Sequence, residues 1–225
     1  MMTKLFSSCL VTVLVLTLPC MAMAKDPEPD DSTHGLELVK KTWRGEFYMD
    51  TGADWNRYTG IQLEKATVAF RKNWARDQRN RSGNRPTEEN MGRIKTNLSD
   101  LLDQVLRQEL TKDGIYTMSE TSGENVMRIT PEITNLNINA PDRMRDYIGS
   151  SYADSKGSMT LELEIHDAVS GRLLARMRDN REDPQRNYLE WTTAGTNLRA
   201  ARLMFIRWAK KLHGWLIEAR STYPD

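Results

Sequence analysis

The feature of this sequence that most constrains its fold is a strict alternation of apolar and polar residues that begins at Ser158. Alternation with a period of two is typical of a β-strand with one buried face. A second strand can follow the turn Val169–Gly171 and keep its apolar residues on the same face. This requires that the numbers of directly paired residues sum to 340. The connection then has three residues, with Gly171 in the left-handed conformation. The inward-facing residues are then Met159, Leu161, Leu163, Ile165, Leu173, Ala175 and Met177.

The charged residues of this stretch support the same pairing. In this register Glu162 lies opposite Arg178, and Glu164 lies opposite Arg176. Opposite charges on directly paired residues stabilise one register over its neighbours. The pattern, the turn and the charges therefore predict one antiparallel hairpin between Ser158 and Arg178.

Two long helices are predicted from apolar residues that recur every three or four positions. The first begins at Pro86–Thr87 and stops at Asp113–Gly114. The second runs from about Ala194 to Arg220, and its apolar stripe includes Phe205, Trp208 and Trp215. Each of these helices is expected to bury one face.

Four shorter strands complete the predicted fold: an edge strand at Glu46–Met49, Ile61–Arg71 with a bulge near Lys65 or Ala66, Ile115–Met118, and Val126–Ile138. Pro131 has no N–H to donate, so we expect the last of these at a sheet edge or bulged. The order of elements predicts a single α/β domain with a mixed, mostly antiparallel sheet. Both long helices are expected on one face, with a parallel crossover through the first.

The N-terminus has the layout of a secretory signal peptide. Lys4 precedes an apolar run from Leu5 to Leu18, and Ala22–Ala24 supplies the small residues of a cleavage site. We expect cleavage after Ala24 and export to the periplasm. Lipid attachment at Cys20 is not expected, because Pro19 occupies the position that normally holds a small residue.

The expected mature chain begins with an acidic, proline-bearing leader, residues 25–34, and continues as one domain over residues 35–221. Both cysteines lie in the signal segment, so the mature chain has no thiol nucleophile, disulfide or cysteine ligand. Lys4 is the one charge removed, which leaves 32 − 1 = 31 basic and 31 acidic side chains. A balanced charge argues against nucleic acid as the partner.

No catalytic or cofactor motif is found. The histidines, His34, His166 and His213, are too far apart in sequence to form a metal motif, so neither a metal nor another cofactor is expected. His166 and Asp167 are adjacent on a strand and point to opposite faces, so we interpret them as a surface histidine beside a turn aspartate. A hydrolase acting on envelope polysaccharide, with a carboxylate or His166 in its site, remains the enzymatic alternative.

The stretch from Phe70 to Pro86 carries six cationic side chains against one carboxylate, Asp77. At about 15 residues it is longer than most connections between a strand and a helix, and long loops are often disordered or functional. It also contains a tryptophan, which either tucks under the loop or contacts a partner. The candidate binding residues are Arg71, Lys72, Trp74, Arg76 and Arg79, together with Asn139 and Asp142 of a second loop.

The terminal helix offers a different surface. Its aromatic stripe is flanked by cations, among them Arg199, Arg202, Arg207, Lys210, Lys211 and Arg220. Such a pattern is typical both of a sheet-packed helix with a solvated back and of a helix lying on a membrane. Core packing is favoured, and lipid association through this helix is retained as an alternative.

Several segments resemble a bacterial family of envelope proteins, domain of unknown function 3313. They are HGLELVKK, ADWNRYTGIQLEKATVAFRKNW, NLNINAPD, MTLELEIHDAVSGRLLARMRD and RWAKKL, in order from about Gly35 to Leu216. The resemblance implies an exported protein, often a lipoprotein, with no established activity or catalytic residues. Two departures from the family pattern are the missing lipid-attachment cysteine and Glu64–Lys65, where members commonly have Asp-Pro.

From these observations we expect a non-enzymatic accessory or binding protein of the periplasm. Its partner would be an envelope protein or an anionic envelope polymer, contacted through residues 71–85 and the loop at Asn139–Asp142.

Overall fold

The computed structural model describes residues 35–82, 86–138, 157–182 and 194–223. All of these residues belong to one compact unit. The elements in chain order are β1 (Glu37–Thr42), β2 (Gly45–Met49), a 3-10 turn (Trp55–Arg57), β3 (Gly60–Leu63), β4 (Thr67–Phe70), α1 (Trp74–Ser82), α2 (Glu88–Leu110), β5 (Thr117–Met118), β6 (Val126–Asn137), β7 (Ser158–Asp167), β8 (Leu173–Glu182) and α3 (Ala194–Thr222).

The strands form one mixed sheet in the order β1-β2-β8-β7-β6-β3-β5, and β4 also pairs with β6. Strands β3 and β4 run parallel to β6, whereas β1, β2, β8, β7 and β6 pair antiparallel with their neighbours. The predicted α/β class with a mixed, mostly antiparallel sheet is confirmed. The predicted parallel connection is also observed, since the chain passes from β4 through α2 to β6.

The β7–β8 hairpin has the predicted register. Pairs from Ser158 with Glu182 to Ile165 with Ala175 all sum to 340, and the register shifts only next to the turn. Gly171 has a φ of 73°, the left-handed conformation that the three-residue connection requires. The local pattern was sufficient here because both strands and their turn are contiguous in sequence.

The prediction that Glu46–Met49 forms an edge strand is wrong. Strand β2 lies between β1 and β8, and β1 is the strand at the edge. The interior position explains Gly45, because a Cβ there would stand 2.0 Å from the carbonyl oxygen of Arg178. Only glycine allows the two backbones to approach so closely.

The long strand predicted from Ile61 to Arg71 is interrupted where a bulge was expected, and β3 and β4 both pair with β6. Strand β6 is therefore interior, so the edge alternative for Pro131 is wrong, although a bulge does occur near Asn135. The carbonyl of Ile129 accepts from the N–H of Glu64, so the backbone groups of Ile129 point toward β3. Residues two apart in a strand point the same way, so the nitrogen of Pro131 also points toward this side of β6. Pro131 thus faces the gap between β3 and β4, where no donor is needed.

The two long helices pack against each other and share one hydrophobic core with the sheet. Thr87 caps α2 by accepting from the N–H of Asn90, and Glu88 and Glu89 lie in the first turn, as predicted. In α3, Phe205, Trp208 and Leu212 are fully buried in this core.

A buried carboxylate joins α3 to β8. Asp179 is fully buried, and it accepts from Trp208 Nε1 at 2.9 Å, from Lys211 Nζ at 2.6 Å and from Arg181 Nε at 2.7 Å. Two cations and an indole N–H therefore satisfy one buried charge, as such groups require. Lys211 was predicted as a solvated cation of the helix back, and this part of the prediction is wrong.

Candidate binding surface

The segment predicted as a long cationic loop contains a helix. Strand β4 ends at Phe70, Asn73 adopts a φ of 65°, and α1 begins at Trp74. Asparagine tolerates the left-handed conformation better than most residues, so it allows the sharp turn from strand to helix. The prediction of an irregular loop across residues 71–85 is therefore wrong for α1.

A helix of nine residues is marginal in isolation, so tertiary contacts must hold it. Trp74 is 1% exposed and stacks on Phe70 with ring centroids 4.1 Å apart. Its Nε1 donates to the carbonyl of Ile138 at 2.8 Å, and Gln78 Nε2 donates to the same oxygen at 3.2 Å. Residues four apart share a helix face, so Trp74 and Gln78 fix α1 by its inner side.

The outer side of α1 presents cations to solvent. Arg76 and Arg79 are exposed, as is Lys72 before the helix. Arg71 is different, because it is half-buried and its Nη2 lies 2.8 Å from Asp77 Oδ2. Arg76 also approaches Asp77, at 3.6 Å, while Lys72 and Arg79 have no carboxylate within ion-pair distance in the described ranges.

The structure thus divides the predicted binding residues. Lys72, Arg76 and Arg79 form one surface, which we call the α1 cationic surface, whereas Trp74 is a core anchor and Arg71 is an internal ion pair. Asn139 and Asp142 lie outside the described residues. Ile138, just before them, is bonded to α1.

This surface lies at one end of the sheet, which we call the upper end. Strands β4, β6 and β8 finish there, as the pairs Phe70–Leu136 and Ser158–Glu182 show, and β2 begins there opposite Asp179. Helix α3 runs from the upper end toward the opposite end of the sheet. Lys211 contacts Asp179 near the upper end, and Arg220, later in the helix, contacts Tyr58 near the opposite end. The α1 cationic surface and the start of β2 therefore lie at the same end of the sheet.

The candidate acid–base residues each lie close to an oppositely charged or titratable side chain. Glu162 and Glu164 approach Arg178 and Arg176 at 3.7 and 3.9 Å, the predicted cross-strand pairs. His166 Nε2 lies 3.7 Å from Glu164 Oε2. An open polar pocket of about 680 Å³ adjoins these residues, and it is lined by Gly35, Asp50, Glu164, His166, Gly171, Arg172, Leu173 and Arg176.

The pocket pairs its charged side chains with one another. Its two carboxylates are each opposed by an arginine, Arg172 for Asp50 and Arg176 for Glu164. Among the described residues, no three His, Cys, Asp or Glu side chains are grouped so that they could hold a metal ion. His213, which the sequence left unassigned, lies 2.9 Å from Asp113 and joins α3 to the loop after α2.

Asp167 lies at the β7–β8 turn, as predicted, and its carboxylate is buried there. Burial alone would raise the pKa of Asp167, but donors outweigh it: the backbone N–H and hydroxyl of Ser170, the Tyr58 hydroxyl and the backbone N–H of Val169. The pKa is held at about 2. Burial, together with the hydrogen bond to Asp167, raises the pKa of Tyr58 to about 12.

We expect Asp167→Asn to lower the free energy of unfolding by about 2 kcal/mol at pH 7. The pKa of Asp167 falls from 3.8 to about 2 on folding, so its stabilisation is complete above pH 3.8 and is lost as the pH falls toward 2. Urea unfolding of the wild type and of Asp167→Asn should show that their difference in free energy of unfolding shrinks as the pH falls from 3.8 toward 2. A difference independent of pH would contradict the assignment, and Asp100→Asn, at an exposed ion pair, serves as the control.

The aromatic stripe of α3 is packed as the core interpretation predicts. Phe205 and Trp208 are fully buried, and Trp215 stacks on Phe47 with centroids 4.1 Å apart. Arg220 is also engaged, since it donates to the carbonyl of Tyr58 at 2.6 Å. In the described part of the chain, no helix has the length and apolar character needed to cross a bilayer.

The tip of the β1–β2 hairpin was not predicted from the sequence. Trp43 lies there and is 87% exposed, with the guanidinium of Arg44 4.1 Å from its ring centroid. The segment mixes apolar and charged residues without clear alternation, so the pattern did not show that Trp43 falls in a turn. Gly45, directly after Trp43 and Arg44, was the residue in the sequence that could have indicated a turn there.

The fold and the surface define the class of this protein: an α/β sandwich domain with a basic surface at one end of its sheet. The chain belongs to the family described as protein of unknown function (DUF3313), whose model matches residues 36–212. The predicted family membership is confirmed. No curated protein matches the chain.

Two solved structures are distantly similar to this chain. A PelC dodecamer structure from Paraburkholderia phytofirmans is 12% identical, with a TM-score of 0.40 over 75% of this chain and 97% of that chain. Protein XCC0632 from Xanthomonas campestris, of family DUF330, is 11% identical, with a TM-score of 0.41 over 73% of this chain and 86% of that one. Scores of this size assign no function.

Proposed function

We propose that this protein is a non-enzymatic binding protein of the bacterial cell envelope that contacts an anionic partner through the α1 cationic surface. The observation that carries the proposal is the two-sided construction of α1. Trp74 and Gln78 hold its inner side, while Lys72, Arg76 and Arg79 project into solvent. Because the backbone of α1 is already held in place, little backbone entropy is lost when a partner binds.

The location of the protein is part of the proposal. The layout of residues 1–24 supports export and cleavage after Ala24, and a cysteine-free mature chain suits the periplasm. Anionic polymers and acidic protein surfaces are the partners whose charge complements Lys72, Arg76 and Arg79. The hydrolase alternative has less support, because both pocket carboxylates are opposed by arginines.

The expected strength follows from the exposure of the cations. Exposed ion pairs contribute at most about 1 kcal/mol each and are screened by salt, so three of them give a moderate and salt-sensitive contribution. Arg71 is excluded from the binding set because it is half-buried and lies 2.8 Å from Asp77, whereas Arg76 is exposed and lies 3.6 Å from the same carboxylate.

We expect the triple variant Lys72→Ser, Arg76→Ser, Arg79→Ser to weaken capture of envelope material about tenfold, a loss of ~1.4 kcal/mol. Its unfolding midpoint should stay at the wild-type value, since these side chains are exposed. The measurement is pull-down from fractionated envelope extracts at low and high salt. Digestion of the extract with protease or with polysaccharide hydrolases then separates protein from polymer partners.

A matched control removes three positive charges elsewhere: Lys40→Ser, Lys65→Ser and Lys112→Ser, all exposed and paired with carboxylates. If the control weakens capture as much as the α1 triple variant, net charge is responsible and the α1 surface is not a binding site. Equal capture by the triple variant and the wild type would also reject the proposal.

A further inference from the structure

The tip of the β1–β2 hairpin carries an apolar side chain that the fold leaves in water. Trp43 is 87% exposed, whereas Trp55, Trp74 and Trp208 are each at most 1% exposed. A large aromatic side chain gives a large gain in free energy when a partner buries it. Among the described residues, Trp43 is the most exposed of the large hydrophobic side chains.

The backbone of this tip is well ordered by hydrogen bonds. The hydroxyl of Thr42 accepts from the N–H groups of Arg44 and Gly45 at 3.3 and 3.2 Å. The carbonyl of Arg44 accepts from the N–H of Asn180 at 2.8 Å, which ties the tip to β8. Trp43 is therefore presented from a fixed turn, and little backbone entropy is lost when it is buried by a partner.

The tip is also cationic. The Arg44 guanidinium lies 4.1 Å from the Trp43 ring centroid and, within the described ranges, has no carboxylate at ion-pair distance. Lys40 and Lys41 precede the tip on β1, although Glu218 and Glu46 pair with them. An aromatic ring with an unpaired guanidinium beside it is complementary to a surface that has an anionic outer layer and an apolar interior.

The tip points from the same end of the sheet as the α1 cationic surface. Gly45 of β2 pairs with Asp179 at the upper end, and Phe70 of β4 pairs with Leu136 there. Strands β8, β7 and β6 separate β2 from β4, so at about 4.8 Å per strand the two basic elements are roughly 19 Å apart. Both can face one extended surface at the same time.

A hairpin tip is convex, so it cannot enclose a ligand and must itself be received by its partner. The headgroup region of a bilayer receives such a group without a preformed pocket, and tryptophan is enriched at this depth because its ring is apolar and its N–H is polar. Cationic side chains add attraction to anionic lipids that falls off within a Debye length.

We infer that Trp43 and Arg44 form a contact that seats the upper end of the sheet on an anionic phospholipid surface. The contact replaces the terminal helix as the lipid-facing element, because the aromatic stripe of that helix is packed in the core. It does not depend on the α1 cationic surface binding its own partner, since the residues of the two contacts are separate.

The test is vesicle flotation of the protein purified from cells expressing the full-length chain. Vesicles of phosphatidylethanolamine with and without phosphatidylglycerol are compared. We expect the wild type to float with the anionic vesicles and Trp43→Ala to lower the floated fraction about fivefold. Arg44→Ser should cause a smaller loss that high salt abolishes. Val169→Ala, an exposed apolar residue at the opposite turn, is the matched control and should float normally.

Trp43→Ala, Arg44→Ser and Val169→Ala should keep the circular dichroism spectrum and the unfolding midpoint of the wild type, since all three side chains are exposed. Equal flotation of Trp43→Ala and wild type, or of wild type with neutral and anionic vesicles, would overturn the inference. The inference would also be overturned if the wild type does not float and Trp43→Ala captures less of an envelope protein or glycan. Trp43 would then be a contact for that macromolecule.

Discussion

Asp179→Ala is expected to lower the free energy of unfolding by about 3 kcal/mol. Asp179 is fully buried, and it accepts from Trp208 and from two cations, Lys211 and Arg181. Removing the carboxylate leaves an indole N–H without its acceptor and two largely buried cations without their counter-charge. Such uncompensated groups cost more than the ion pair contributes, so this should be the largest effect of any single charge removal described here.

Urea unfolding followed by tryptophan fluorescence measures this effect. Asp100→Ala, which removes an exposed carboxylate paired with Lys65, should change stability by less than about 1 kcal/mol. Adding Lys211→Met to Asp179→Ala should restore part of the loss, because it removes one of the stranded charges. A loss below about 1 kcal/mol for Asp179→Ala, or no recovery in the double variant, would show that Asp179 does not hold α3 to β8.

Trp74→Ala is expected to release α1 from the domain, because it lowers the free energy of detaching this helix by about 3 kcal/mol. The substitution removes the stacking on Phe70 and the hydrogen bond to Ile138, and it leaves Gln78 as the remaining inner contact. Helix α1 is too short to persist without these contacts. The free energy of global unfolding falls less if the helix detaches locally, so local protection must be measured together with stability.

Hydrogen exchange of α1 and limited trypsin cleavage at Arg76 and Arg79 report its release. Both should accelerate in Trp74→Ala and stay at the wild-type rate in Trp43→Ala, because Trp43 makes no core contact. Binding of envelope material should also weaken in Trp74→Ala although every cation is retained. Unchanged protection of α1 would mean that Trp74 does not anchor the helix, and the proposed pre-ordered surface would lose its basis.

The parts of this fold that were predictable from sequence are those set by local pattern. Alternation, turn geometry and charge fixed the register of β7 and β8, and the helical repeat with its cap placed α2. The buried stripe of α3 followed from its spacing in the same way, since Phe205 and Trp208 face the core. In each case the residues that determine the element are contiguous in the chain.

The parts that were missed depend on partners distant in sequence. The interior position of β2 depends on pairing with β8, more than 120 residues away. Helix α1 depends on the carbonyl of Ile138, which a pattern around Trp74 does not contain. Lys211 looked like a solvated cation because its partner, Asp179, belongs to another element.

The candidate site was only partly predictable for the same reason. The sequence identified the cationic segment and its tryptophan, but the tertiary contacts separate Arg71, paired with Asp77, from the solvent-facing Lys72, Arg76 and Arg79. The exposure of Trp43 depends on the turn between β1 and β2, whose strands have no clear alternation. Composition alone did not distinguish an anchoring tryptophan from an exposed one.

Photo-crosslinking in living bacteria tests the central claim most directly, with a photoreactive residue placed at Arg76 in one variant and at Asn97 in another. Both positions are exposed, but Asn97 lies on α2, outside the α1 cationic surface. We expect position 76 to crosslink to an envelope component and position 97 not to do so. Products of equal yield at both positions, or products at position 76 that contain only cytoplasmic proteins, would contradict it.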